Sequence, residues 1–302
     1  MTAKALTTLV ALLVLAGLHG AWSYGHDFYL YRGFPPPRDP PGVQAGRLAK
    51  ISFYSPALRG QHQYYIYLPP GYAAAAAAGQ RFPVVYLLHG APGWPQRFTD
   101  AGDIGVQIDT LIAHHRIRPF LVVMPDGRNG TFSPDTEWAN TQLGSYESYV
   151  LDTVHAVDRR WATLPGRGDR AIAGNSAGGY GAANIALRHL STFGLFQSWS
   201  GYFTQTPTGP FKGASAASLR ANSPADYVGG LRAQIRREPV AAILYGGLQD
   251  RDTLQLPGFA TQLRAAGANV QSTTLPGRHD WRLWRAMVPK MLLWLNAKFG
   301  AP

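Results

Sequence analysis

The sequence contains no cysteine, and this absence removes several classes of site at once. Without a thiol, the chain has no disulfide scaffold, no cysteine nucleophile and no cysteine-ligated zinc or iron. Its stability must therefore come from a core. Hydrophobic residues make up 46% of the 302 residues and aromatic residues 12%, which allows a sizeable core and argues against disorder.

Acidic residues and nucleotide-binding motifs are also scarce. The chain has 17 acidic and 28 basic residues, a formal net charge of +11. The arginines are scattered and no nucleic-acid-binding signature appears, so this charge favours binding to an anionic envelope surface over binding to nucleic acid. The alternative interpretation is a soluble protein whose surface is simply basic. A P-loop is excluded because Gly179-Tyr180-Gly181 replaces Gly-Lys-Ser/Thr, and a dinucleotide fingerprint is excluded by its glycine spacing.

Residues 1–23 have the pattern of an export signal. Lys4 supplies a positive charge ahead of an apolar run, residues 5–18, that is short for a membrane span. Ala21 and Ser23 are small residues at the positions that a signal peptidase recognises. Cleavage after Ser23 and an uncleaved N-terminal anchor are both open, and both predict a secreted or cell-envelope-associated protein.

Residues 24–46 are rich in proline and predict an extended lead-in without helix. Residues 47–302 are predicted to form a single catalytic domain. It begins with two β-rich runs separated by Arg59-Gly60, which indicate an antiparallel N-terminal strand pair. Continuous apolar runs then alternate with helix-length segments, and these runs are FPVVYLLHG, FLVVMPDG, RAIAGNS and VAAILYGG. The predicted fold class is α/β, with a mostly parallel central sheet flanked by helices.

The third of these runs leads into Gly174-Asn175-Ser176-Ala177-Gly178, and a helix-length segment follows it. This strand–turn–helix context fits a nucleophile elbow, in which glycines let the chain reverse sharply and hold a serine oxygen above the sheet. Short glycine and serine patterns occur by chance, so the context carries the prediction. Because ligands bind at the carboxyl ends of parallel strands, Ser176 is the predicted nucleophile.

A serine nucleophile requires a base, and the base requires an acid that orients it. In an elbow fold the chain order is serine, acid, histidine, and only His189 and His279 follow Ser176. His189 falls in the predicted helix after the elbow and is interpreted as structural. His279 lies in a loop before the last helix and is the predicted base. Asp250, just past a buried strand, is the predicted acid, and Asp252 is the alternative.

The oxyanion of a tetrahedral intermediate requires two backbone N–H donors. The first predicted donor is Ala177, immediately after the nucleophile. The second is expected from HGAPGW, where Pro92 has no N–H, so the choice falls between Gly90 and Ala91, and Ala91 is predicted. His89 in the same segment precedes Ser176 in the chain, so its predicted role is to shape the loop.

Together these motifs resemble the α/β-hydrolase "putative esterase" family, which includes feruloyl and acetyl-xylan-type esterases, S-formylglutathione hydrolases and antigen 85 mycolyltransferases. The resemblance implies an α/β-hydrolase fold, triad roles for Ser176, Asp250 and His279, and oxyanion roles for Ala91 and Ala177. Family elbows usually carry a larger residue such as Met at the position of Ala177, which implies a roomier pocket floor or different packing. The matching segments span most of residues 50–298 in family order and are PVVYLLHGAPG, LVVMPDG, DRAIAGNSAGGYGAANIALRH, SWSGYF, GGLQD and LPGRHDWRLW.

The expected function is an exported serine carboxylesterase that forms an acyl-enzyme on small, acyl-lipid or acyl-sugar esters. Two alternatives stay open: an acyltransferase with the same triad, and a catalytically silent envelope-binding protein on a hydrolase scaffold. Neither a metal nor an organic cofactor is implied. The aromatic-rich segments GTFSPDTEW and SWSGYFTQ either line the substrate pocket or belong to the core.

Overall fold

In a computed structural model, which describes residues 3–130 and 135–300, eight strands form one central sheet. Their order across the sheet is β1-β2-β4-β3-β7-β8-β9-β10, and β5 and β6 form a separate hairpin. The strands are β1 (Arg47–Ser55), β2 (Gly60–Leu68), β3 (Val84–Leu88), β4 (Leu121–Pro125), β5 (Asn140–Thr141), β6 (Gly144–Ser145), β7 (Arg170–Asn175), β8 (Leu195–Trp199), β9 (Ala241–Gly247) and β10 (Asn269–Leu275).

The strand directions confirm the predicted fold class. β1 pairs antiparallel with β2, which in turn pairs antiparallel with β4, and the remaining neighbours in the sheet are parallel. The four apolar runs become β3, β4, β7 and β9. β8 was not predicted, because Gln197 and Ser198 interrupt its apolar pattern. The buried Gln197 amide is satisfied instead by donating to the carbonyl of Met291 (3.0 Å).

Helices cover both faces of the sheet, as parallel strands require. Tyr86 and Leu88 of β3 point into the core on one face, and Val85 and Leu87 point into the core on the other. The helices are α1 (Ala3–Ser23), α2 (Tyr72–Ala77), α3 (Arg97–Asp100), α4 (Ile104–Ala113), α5 (Tyr146–Arg160), α6 (Ala177–Arg188), α7 (Ala216–Ala221), α8 (Pro224–Tyr227), α9 (Arg232–Arg237), α10 (Leu256–Ala265) and α11 (Trp281–Lys298).

The N-terminal helix is longer than predicted. α1 continues as a π-helical segment, Tyr24–Leu30, so the expectation of no helix in residues 24–46 was wrong for its first seven residues. The segment contains no proline, and the chain takes positive φ angles just after it, at Arg32 (φ +55°) and Gly33 (φ +83°). The span Ala3–Leu30 is long and apolar enough to cross a membrane, and none of its apolar window is buried. It is compatible with a signal sequence or an anchor.

The crossing of β3 and α6 leaves no room for a side chain at the elbow. A Cβ built on Gly178 would lie 1.8 Å from the carbonyl oxygen of Leu88, far inside van der Waals contact. The obstacle is backbone in the middle of the sheet, so it cannot move aside without disturbing strand pairing.

Gly178→Ala is therefore expected to destabilise the fold by more than about 3 kcal/mol, as overpacking in a rigid core does. Gly258→Ala in α10 is the matched control, because nothing lies within 4 Å of a Cβ at that helical glycine. Urea unfolding followed by circular dichroism measures both variants. Equal stability of Gly178→Ala and the wild type would contradict this packing.

Candidate active site

Ser176 sits at the turn between β7 and α6 in a strained backbone conformation. Its φ of +55° and ψ of −125° lie outside the regions that a residue with a Cβ normally occupies. The surroundings hold it there: its N–H donates to the carbonyl of Trp199 (2.9 Å), and its carbonyl accepts from the N–H groups of Gly179 and Tyr180. The turn lifts the side chain off the carboxyl end of the sheet and into a cleft.

Three side chains from three different loops meet at this point. His279 Nε2 lies 2.8 Å from Ser176 Oγ, and His279 Nδ1 lies 2.8 Å from Asp250 Oδ2. An ionised carboxylate only accepts hydrogen bonds, so Nδ1 must donate to Asp250 and Nε2 is left to accept from the serine hydroxyl. The second candidate acid, Asp252, is farther away, at 3.7 Å from Nδ1, and about half exposed.

The charges around His279 favour its protonated form. Burial acts to lower the pKa of His279, but the hydrogen bond with Asp250 and the negative charges of Asp250 and Asp252 outweigh burial and raise the pKa above its ordinary value. Burial likewise acts to raise the pKa of Asp250, but its hydrogen bond and charge pairing with His279 keep that pKa below the ordinary value. Asp250 is therefore ionised at neutral pH.

Further hydrogen bonds fix the carboxylate of Asp250. Asp250 Oδ1 accepts from the N–H of Asp252 (3.0 Å). The buried Ser200 side chain also hydrogen-bonds to Asp250, which helps to lower the pKa of Asp250, and Ser200 Oγ accepts from Trp284 Nε1 (3.1 Å). Sequence reasoning gave Ser200 no role. The feature that could have identified Ser200 is its position directly after β8, at the carboxyl edge of the sheet.

Of the two predicted oxyanion donors, Ala91 lines the cleft and Ala177 directly follows Ser176 in the chain. Ala177 is the first residue of α6, so its N–H has no acceptor within the helix. Ala91 lines the cleft in the loop after β3, together with Gly90. A Cβ on Gly90 would lie 3.0 Å from Ser176 Cβ, which shows how closely this loop approaches the elbow.

The other two histidines that the sequence singled out take structural positions. His89 is buried; its Nε2 accepts from the N–H of Gly127 (3.1 Å), so Nδ1 donates to the carbonyl of Gly90 (3.0 Å). Burial lowers the pKa of His89 to about 4, which keeps the ring neutral and suits a loop-shaping role. His189 at the end of α6 lies 2.8 Å from a carboxylate oxygen of Glu147, away from the serine.

The cleft around Ser176 has a volume of about 450 Å³. Its aromatic lining comes from Trp281 and Trp284 at the start of α11. Of the aromatic-rich segments, residues 131–134 lie outside the described residues, and the described remainder does not line the cleft. Trp138 packs against Gly181, and Tyr202 stacks on Tyr180, which supports the core interpretation for both segments.

Asp250, Asp252 and His279 also place their ligand atoms within 4.8 Å of one another, a spacing at which a metal ion could be held. Both ring nitrogens of His279 are already engaged, by Asp250 and by Ser176. The arrangement therefore suits proton transfer from the serine better than metal ligation.

Replacing Asp252 with Asn is expected to lower the pKa of His279, because it removes one of the negative charges that raise it. An NMR titration of the imidazole resonances measures the midpoint in the wild type and in the variant. Asp226→Asn, at an exposed position in α8, is the control and should leave the midpoint in place. Identical midpoints in all three proteins would show that Asp252 does not act on His279.

Comparison with known proteins shows which family the chain is similar to. The sequence profile described as "Putative esterase" matches residues 55–295. An endo-1,4-beta-xylanase/feruloyl esterase of Xylanibacter ruminicola is 32% identical over 181 residues, which cover 58% of this chain and 23% of that protein. An esterase of Mycobacterium tuberculosis is 29% identical over 159 residues, covering 51% of this chain and 32% of that protein. The chain thus spans a third or less of the length of these two relatives.

Solved structures show the same fold. A ferulic acid esterase superposes with a TM-score of 0.76 at 23% identity, covering 84% of this chain and 99% of that one. An S-formylglutathione hydrolase from Staphylococcus aureus gives a TM-score of 0.69 at 19% identity, covering 83% of this chain and 99% of that one.

Proposed function

The chain belongs to the putative esterase family, and we propose that it is a serine carboxylesterase that works through Ser176, His279 and Asp250. The observation that carries this proposal is the continuous hydrogen-bonded chain from Ser176 Oγ through both ring nitrogens of His279 to Asp250. It lies at an elbow that opens into a cleft of about 450 Å³, so an ester can reach the hydroxyl.

The proposed reaction begins when an ester carbonyl carbon enters the cleft beside Ser176. Nε2 of His279 takes the hydroxyl proton as Oγ attacks, and the imidazolium that forms is stabilised by ionised Asp250. The backbone N–H groups of Ala177 and Ala91 are proposed to bind the oxyanion. His279 then gives its proton to the leaving alcohol, and a water molecule hydrolyses the acyl-enzyme by the same proton path in reverse.

Asp250 is proposed as the acid in preference to Asp252. Its carboxylate is buried and fixed by the N–H of Asp252 as well as by His279, whereas the carboxylate of Asp252 is about half exposed and lies 3.7 Å from the ring. A fixed acceptor holds the imidazole in one tautomer, and a mobile one does not. Asp252 is left with an electrostatic effect on the pKa of His279.

The proposal also covers the export of the protein and the boundaries of its segments. Residues 1–23 are proposed as the signal peptide or anchor, residues 24–46 as the lead-in and residues 47–302 as the catalytic domain. The apolar, unburied helix at the N-terminus and the net charge of +11 support an enzyme that works outside the cytoplasm on envelope lipid or acylated-sugar esters.

An acyltransferase would use the same residues, with a sugar or lipid hydroxyl in place of water. The reaction products distinguish the two activities. An esterase releases the free acid, whereas an acyltransferase supplied with an alcohol acceptor transfers the acyl group to it and forms a new ester. A catalytically silent binding protein is disfavoured by the intact hydrogen bonds among Ser176, His279 and Asp250.

Ser176→Ala is expected to abolish hydrolysis of 4-nitrophenyl esters, with a loss of about 10⁴-fold or more in kcat, because the nucleophile is gone. The wild-type chain-length preference from acetate to long acyl groups then reports the size of the cleft. Ser191→Ala, at an exposed position, is the control. Wild-type rates in Ser176→Ala would refute the assignment of the nucleophile.

Asn substitutions separate the two candidate acids. Asp250→Asn is expected to lower kcat by about 10³- to 10⁴-fold, because the imidazole loses its orienting acceptor. Asp252→Asn is expected to retain most of kcat and to shift the rise of kcat/KM to lower pH, since His279 must be neutral to act as a base and its pKa falls. The pH–rate profiles of both variants measure these changes. A larger loss of kcat in Asp252→Asn than in Asp250→Asn would make Asp252 the acid.

A further inference from the structure

Positive charge is concentrated around the cleft that holds Ser176. Arg32, Arg97 and Arg282 all border it. Among the described lining residues, Asp280 is the one that carries a carboxylate, and this group caps α11 by accepting from the N–H of Arg282 (3.0 Å). The described side chains that line the cleft therefore carry a net positive charge.

Arg97 is the unusual member of this group, because it is buried (2% exposed) and only part of its guanidinium is satisfied. Nη1 donates to the backbone carbonyls of Tyr29 and Leu30, but Nε and Nη2 have no hydrogen-bond partner. Within residues 3–130 and 135–300, no carboxylate forms an ion pair with it. Asp100 is near enough to attract Arg97, but its side chain accepts instead from the hydroxyl of Thr99 (3.1 Å).

The two unbonded nitrogens belong to the same edge of the guanidinium. Nε–H and Nη2–H point in parallel, and this edge makes bidentate pairs with carboxylate and phosphate oxygens. The ring of Trp94 lies 3.6 Å from the guanidinium carbon and fixes the plane of the group. Nε and Nη2 of Arg97 are thus fixed in orientation and have no acceptor among the described residues.

A buried cation without a counter-ion costs stability, so its retention in a cleft indicates a ligand. Burial and the nearby charge of Arg32 lower the pKa of Arg97 to about 10, which leaves the group charged at neutral pH. Arg32 and Arg282 are exposed, and neither forms an ion pair with a described residue. Their charges are therefore free to draw an anion toward the cleft.

We propose that this cleft selects esters that carry an anionic oxygen group, a carboxylate or a phosphate, and that Arg97 binds this group with support from Arg32 and Arg282. The proposal rests on the serine esterase function above and names the substrate class of that site. The ester carbonyl lies at Ser176 while the anion lies at the arginine side of the same cleft, so binding the charge also orients the bond to be cut.

Matched pairs of chromogenic esters test this selection, with the anion placed once on each side of the bond. The 4-nitrophenyl monoester of glutaric acid is compared with 4-nitrophenyl pentanoate, and 4-acetoxybenzoate is compared with its methyl ester. In at least one pair the wild type is expected to show a kcat/KM about tenfold higher for the anionic member, the size of one charge-assisted hydrogen-bonded pair. Inhibition of neutral-ester hydrolysis by glutarate and by inorganic phosphate then shows which anion is preferred.

Arginine variants locate the effect. Arg97→Gln is expected to remove the preference, because it raises KM for the anionic ester more than KM for the neutral ester. The double variant Arg32→Gln, Arg282→Gln should reduce the preference about threefold. Because it changes only exposed side chains, it tests the proposal even if Arg97→Gln fails to fold. Arg236→Gln, an exposed arginine of α9, is the matched control and should change nothing.

The outcomes separate this inference from the function on which it rests. Equal kcat/KM for both members of both pairs, or a preference that survives in the arginine variants, would overturn the anion selection and leave the esterase intact. A wild type that hydrolyses none of the four esters would overturn the proposed function, and the anion selection with it.

Discussion

The left-handed backbone of Ser176 is the constraint on which the rest of the site depends. A residue with a Cβ takes this conformation only where its surroundings enforce it, and here β8 and the first turn of α6 supply the hydrogen bonds that do so. The glycine at position 178 lets the helix approach β3 closely enough to close the turn. As a result, the serine hydroxyl stands clear of the sheet, and the N–H of Ala177, the first residue of α6, has no helical acceptor.

Sheet topology then determines which residues can reach that hydroxyl. β7, β8, β9 and β10 are neighbours in the sheet and run parallel, so their carboxyl ends lie side by side. The loops that follow them deliver Ser176, Ser200, Asp250 and His279, in the order of the strands. Residues more than a hundred positions apart in sequence therefore meet within hydrogen-bond distance (2.8 Å for Ser176 and His279). The order across the sheet makes the acid and the base neighbours.

The sequence predicted the fold class and the principal side chains because both follow from local signals. Continuous apolar runs marked the central strands, and the position of Ser176, Asp250 and His279 after strand-like segments marked the carboxyl edge of the sheet. The structure shows the hydrogen bonds among these three side chains, whereas their catalytic roles stay predictions. Strand β8 escaped prediction because Gln197 and Ser198 interrupt its apolar pattern, and the carbonyl of Met291 that satisfies the Gln197 amide is distant in sequence. The unpaired guanidinium of Arg97 was equally invisible, since burial without an acid is a property of the tertiary structure.

In the proposed mechanism, His279 activates Ser176 as a nucleophile. The most direct test of this step is to treat the protein with a fluorophosphonate at neutral pH and map the adduct by mass spectrometry of the peptides. If His279 takes the proton of Ser176, one adduct is expected, on the peptide that contains Ser176, and it should form far more slowly in His279→Ala. An adduct on another residue, or labelling of Ser176 at the same rate without His279, would contradict this mechanism.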